Sequence, residues 1–115
     1  MKIIKPITIT LSLLLSSSVF AENQPKDGWD IISDRKAGNC LACHNIIGEP
    51  RVTLPGQIGP PLVAMKARYP EREALRQKIY DPMKTNPYSM MPRFGHHRII
   101  TEADIEKVVD YLYTK

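Results

Sequence analysis

The sequence predicts an all-α fold, and three observations carry that prediction. The clearest is the C-terminal run. Thr101-Glu102-Ala103-Asp104 reads as a capping box with Asp in place of the usual Glu or Gln, and Ile105, Val108, Val109 and Leu112 follow at i, i+3, i+4 and i+7. A second amphipathic stretch starts at Gly28 and a third after Pro70. Nowhere does a strand alternation, an internal repeat or a low-complexity tract appear. The pattern is one of helices near both ends with proline-rich loops between them.

Taken in order, the chain opens with Lys2 and Lys5 before the apolar run Leu11 to Leu15, then Ser16-Ser17-Ser18 and Val19-Phe20-Ala21. This is the pattern of an export signal over 1–21, cleaved after Ala21. A membrane anchor would need about 20 predominantly apolar residues. Lys5, Pro6, Thr8, Thr10 and the serines leave too short a run. Removing 21 of the 115 residues leaves about 94, enough for one domain of modest core that profits from a crosslink or cofactor. Losing Lys2 and Lys5 lowers the formal charge from +4 to +2. The pI of 9.2 is therefore no argument for nucleic acid, and no basic stripe with interleaved aromatics supports that class.

Residues 22–27 form a polar arm containing Pro25, and the domain proper is expected over 28–115. A helix is predicted from Gly28 to Ala37, with Asp27 as its cap and Gly38-Asn39 as its stop; Trp29, Ile32 and Lys36 fall on one side. Asn45 to Gln57 contains Gly48, Pro50, Pro55 and Gly56 and reads as an irregular loop. A short helical piece fits within Pro61 to Arg68. Pro70 reads as a first-turn proline opening a helix to Tyr80, with Leu75 and Ile79 as its apolar stripe and its charges as a solvated face. Asp81-Pro82 closes it, and Met83 to Pro92 is expected to be extended.

The chemistry lies in Cys40-Leu41-Ala42-Cys43-His44. Two thiols two residues apart with a histidine after the second form the attachment signature of c-type haem: both sulfurs bond to the porphyrin and the imidazole binds iron. Three other readings share the spacing. A redox pair has no need of the histidine, a structural zinc requires two further ligands, and a Cys40–Cys43 disulfide would close a loop too small to add much constraint. These are the only cysteines in the chain.

An iron-binding histidine commonly donates its second ring N–H to a carbonyl. A proline carbonyl in Ile58-Gly59-Pro60-Pro61-Leu62 suits that task, Pro60 for example, with Leu62 against the porphyrin; the two prolines equally fit a plain turn. For the sixth iron position, a thioether raises the reduction potential relative to a second imidazole. Met91, directly before Pro92, fits best and Met90 is its rival, while Met65 and Met83 read as packing residues. His96 and His97 would make a bis-histidine site, but adjacent histidines beside Arg98 match an exposed surface.

With Cys40 to His44, Gly59-Pro60-Pro61-Leu62, Met91-Pro92 and a C-terminal helix in this order, the chain resembles a class I cytochrome c. The resemblance implies terminal helices packed together around one covalent haem c, with cofactor contacts at Cys40, Cys43, His44, Pro60, Leu62 and Met91, and iron held by His44 and Met91. It points to Pro60 as the acceptor for His44. GNCLACH, QIGPPL, LRQKIYDP and SMMPRFGHHRIITEADIEKVVDYL bring the chain nearer still to the SoxX family, small monohaem cytochromes of the SoxAX thiosulfate-oxidising complex, over about residues 28–114. Arg93 stands where that family's pattern has a second proline.

This likeness implies a periplasmic electron-transfer subunit, not the sulfur-handling chain. The SoxA partner would join thiosulfate to a carrier-protein cysteine, as an L-cysteine S-thiosulfotransferase. This chain would take the released electrons and pass them to a soluble cytochrome acceptor, under apolar cover from Ile32, Leu62, Val108 and Leu112. No catalytic residue is expected on it. The alternatives are a free periplasmic shuttle serving an oxidase or dehydrogenase, and an enzyme or gas sensor with an open sixth position.

Overall fold

The computed structural model describes residues 26–115, so the expected export signal and most of the expected arm lie outside the described residues. Four α-helices follow in order: α1 (Gly28–Ser33), α2 (Met65–Arg68), α3 (Arg72–Tyr80) and α4 (Glu102–Leu112). Two single 3₁₀ turns, Cys40–Ala42 and Pro82–Lys84, complete the regular structure. The described residues form no strand; one isolated parallel bridge joins Ile46 and Leu62.

α1 and α3 both pack on α4. Its capping box is made as the sequence predicts: the Thr101 side chain accepts from Asp104 N–H, and the Asp104 side chain accepts from Thr101 N–H. The face defined by Ile105, Val108, Val109 and Leu112 is buried. α1 crosses this helix at Gly28. A Cβ there would lie 2.3 Å from the Lys107 carbonyl oxygen and 2.6 Å from Tyr111 Cβ, so only glycine permits the approach. Ile31 and Ile32 on α1 and Ile105 and Val109 on α4 are the fully buried centre of the core.

α1 is shorter than its apolar pattern predicts. It stops at Ser33 because Asp34 adopts an extended backbone (φ −70°, ψ 111°), and Asp34 Oδ1 accepts from Lys36 N–H at 2.8 Å. The chain then turns, with the Asn39 N–H donating to the Asp34 carbonyl at 2.9 Å. Asp27 caps α1 through a reciprocal box with Asp30, and Lys26 pairs with Asp34, so these two residues belong to the fold and not to a loose arm.

α3 also differs in detail. Glu71 is its N-cap, which puts Pro70 outside the first turn. Its charges are not simply solvated. Arg72 bridges Glu106 and Asp110, both at 2.7 Å, and Arg76 bridges Glu102 at 2.6 Å and Glu106 at 2.8 Å. Such pairs contribute little singly but together lock α3 in register on α4. Of the methionines read as packing residues, Met65 is buried in the core whereas Met83 is exposed on its 3₁₀ turn.

Candidate haem-binding site

One apolar cavity of about 840 Å³ opens between the α1–α4 pair, the Cys40–Ala42 turn and the loop before α4. Cys40, Cys43, His44, Pro60, Leu62 and Met91 all line it. The motif is wound into one turn: Cys43 N–H donates to the Cys40 carbonyl at 3.1 Å and His44 N–H to the same oxygen at 2.9 Å. Neither cysteine is engaged in a disulfide, so both sulfurs are open to attachment. Burial pushes the unattached Cys40 thiol up to about 11.

His44 Nδ1 lies 2.7 Å from the Pro60 carbonyl oxygen. A carbonyl can only accept, so Nδ1 carries the proton and the Nε2 lone pair is left free. The ring is seated by the backbone around it. Gly59 N–H donates to the Cys43 carbonyl at 2.7 Å, and a Cβ on Gly59 would fall 2.4 Å from His44 Cε1. Gly56 behaves similarly: its N–H donates to the Leu41 carbonyl at 2.8 Å, and a Cβ there would stand 1.8 Å from the Ala42 oxygen. The stretch expected to be irregular thus ends as a floor beneath the motif turn. A Pro-Gly pair in sequence signals a turn, but not what the turn rests on.

Met91 is half-buried and packs against the core, with its N–H donating to Ser89 Oγ at 3.2 Å. Met90 also borders the cavity but is 84% exposed. His96 and His97 are exposed, stacked edge-on at 5.1 Å, and are not among the cavity-lining residues. Leu62 is buried, held by its N–H to the Asn45 carbonyl at 2.8 Å, and Ile32, Val108 and Leu112 complete the apolar wall.

The residues present fit a covalently attached haem. Two free thiols, an imidazole with its proton pinned on the far nitrogen, and a thioether border a single cavity whose lining includes no carboxylate. Zinc fits poorly: among the described residues no three His, Cys, Asp or Glu side chains converge as a metal-holding group.

A family model described as cytochrome c oxidase, cbb3-type, subunit III matches residues 23–112. The chain belongs to this cytochrome c family. Within it the chain is a SoxX-type cytochrome with the class I cytochrome c fold and one covalently bound haem c. Among solved structures, this cytochrome is similar to the crystal structure of SoxXA from P. pantotrophus: 30% identity and a TM-score of 0.68, covering 76% of this chain and 77% of that one. An uncharacterized lipoprotein of Aquifex aeolicus (strain VF5) is 38% identical over 78 residues. The match takes in 68% of this cytochrome but spans only 37% of the relative's length. Among the described residues no helix is long and apolar enough to cross a membrane.

Proposed function

We propose that this cytochrome is the electron-transfer subunit of a SoxAX-type complex, in which Cys40 and Cys43 would anchor haem c and His44 and Met91 would hold its iron. The observation that carries the site is the 2.7 Å bond from His44 Nδ1 to the Pro60 carbonyl, which leaves Nε2 as the ligating nitrogen of a cavity that Met91 also borders. When bound, haem c supplies a one-electron ferric–ferrous couple. The protein's own residues set the conditions for that couple. The Pro60 carbonyl fixes the His44 tautomer and ring plane and raises the basicity of Nε2. Ile32, Leu62, Val108 and Leu112 exclude water and disfavour extra positive charge in the cavity. With His44 and Met91 both given to the iron, no position would remain for substrate, and both cysteines would be consumed in attachment.

The sulfur chemistry therefore belongs to another chain. The likeness to SoxXA supports a SoxA-type partner. On this reading the partner joins thiosulfate to a carrier-protein cysteine and releases two electrons, which this subunit takes one at a time and hands to a soluble cytochrome acceptor. Residues 1–21 support export to the periplasm, where covalent haem attachment occurs in this family.

Two measurements test this reading. The ferric protein should be low-spin with a methionine-to-iron charge-transfer band at the red end of the spectrum, lost in Met91→Ala and kept in Met90→Ala; loss only in Met90→Ala moves the ligand. In stopped-flow spectra with the SoxA-type partner, thiosulfate and carrier protein, this haem should be reduced. A haem that stays oxidised while the partner turns over leaves only the free-shuttle reading.

A further inference from the structure

We propose that Arg93 is a positioning residue for Met91, acting through a buried carboxylate at the end of α3; the proposal rests on Met91 being the distal ligand. Met91 sits in a segment without regular structure between the Pro82–Lys84 turn and α4. A ligand on such a segment stays in place only if the backbone beside it is fastened to something rigid. Its own amide has a single local bond, to Ser89 Oγ.

The firm attachment comes two residues later. Arg93 Nε donates to Asp81 Oδ1 at 2.8 Å and Arg93 Nη2 donates to Asp81 Oδ2 at 2.7 Å, a bidentate fork whose planar geometry fixes direction as well as distance. The Asp81 side chain is 4% exposed, so this fork is shielded from water far better than a surface pair. Asp81 is the C-cap of α3, and its Oδ1 also accepts from Met83 N–H at 3.2 Å. His96 Nδ1, 4.0 Å from Oδ2, lies beyond hydrogen-bond reach.

Backbone bonds fasten the same point from the other side. The Gly95 and His96 N–H groups both donate to the Tyr80 carbonyl, at 3.1 and 3.2 Å, and Gly95 lies so close to the Tyr80 ring that a Cβ would stand 2.0 Å from it. Tyr80 and Asp81 are held in turn, because Arg72 and Arg76 lock α3 on α4. The α4 register thereby reaches Met91 through Asp81 and Arg93. Lysine would retain the charge but not the fork.

The test is a titration of the ferric holoprotein with imidazole, which competes for the sixth position and is read as loss of the methionine charge-transfer band. A loosened loop raises the apparent imidazole affinity in proportion to the time Met91 spends away. We expect about a tenfold rise in Arg93→Gln and in Asp81→Asn, and no further rise in the double variant, because both remove one interaction. Arg93→Lys should give about a threefold rise, and carries the test if Arg93→Gln yields no holoprotein. Arg51→Gln is the control: it breaks the bidentate pair with buried Glu49, which is not part of the Met91 loop, and should lower the denaturation midpoint without moving imidazole affinity. With the band present in the wild type and lost in Met91→Ala, imidazole affinity unmoved in the Arg93 variants, or moved equally by Arg51→Gln, overturns the clamp alone. No band in the wild type, or a band that survives Met91→Ala, overturns Met91 as ligand, and the clamp with it.

Discussion

At the scale of single residues, the site depends on how little room surrounds His44. A Cβ on Gly59 would come within 2.4, 2.6 and 2.8 Å of Cε1, Nδ1 and Nε2, so it cannot be accommodated while Nδ1 keeps its bond to Pro60. Gly59→Ala should therefore break that bond, weaken the imidazole as a donor to ferric iron and raise the midpoint potential by about 30–60 mV, as half to one decade of a one-electron equilibrium requires. Pro60→Ala retains the carbonyl and should shift the potential far less. Equal shifts in the two variants, measured by redox titration of holoprotein, would show that proline stiffness matters more than the bond. His44, Pro60 and Leu62 each belong to a short local pattern, and the structure brings the three to one cavity. Arg93 was different. It stands where the family's pattern has a second proline, and its side chain reaches Asp81, twelve positions back, to hold the loop from outside. Pairings at that separation leave no periodic trace in the sequence.

Among the elements, legibility follows how local the deciding interaction is. The α4 cap and stripe are set between Thr101 and Leu112, and the structure reproduces them. Asp27 as the cap of α1 is equally local. The end of α1 is not, because Asp34 leaves the helix to bond Lys26 and the Lys36 amide, and apolar spacing says nothing of that competition. The α3 charges form bridges across to α4 that a helix read alone presents as a solvated face. Gly28 is the most economical case: its place at the start of α1 was visible, but its role as the crossing point required α4. Gly28→Ala should push α1 off Lys107 and Tyr111 and lower unfolding stability by about 1–3 kcal/mol, the usual cost of overpacking. Denaturant titration of holoprotein measures it. Leu54→Ala, at a 95% exposed position, should leave the midpoint unchanged under the same conditions.

For the whole molecule, the half of the fold remote from the Met91 loop is tied by one buried carboxylate. Glu49, its side chain 3% exposed, accepts from Arg51 Nε at 2.6 Å and Nη2 at 2.7 Å, from Tyr111 Oη at 2.5 Å and from Lys115 Nζ at 3.2 Å. Arg51 lies 3.9 Å over the Trp29 ring, and the Lys115 carbonyl accepts from Met65 N–H at 2.8 Å. α1, the loop after the motif, the end of α4 and the start of α2 therefore share one polar knot. The Arg51 guanidinium first, and the Tyr111 hydroxyl second, hold the Glu49 carboxyl well below the usual carboxylate range. Burial, reinforced by the bond to Glu49, pushes the Tyr111 phenol up. The sign for stability is that of a depressed acid. Its contribution is fully present above the unfolded glutamate value of about 4.3 and is lost as pH falls through the folded value. Asp81, lowered chiefly by its bonds from Arg93, acts in the same direction. Unfolding midpoints of the holoprotein should hold steady from neutral pH down to about pH 5 and then decline progressively. Glu49→Gln should start lower at neutral pH, because Arg51 and Lys115 lose their counter-charge, yet decline less steeply in acid because one depressed carboxylate no longer takes up a proton. An acid slope unchanged by Glu49→Gln would place the pH sensitivity elsewhere, and Asp81→Asn, measured in the same way, would then be the variant expected to flatten it.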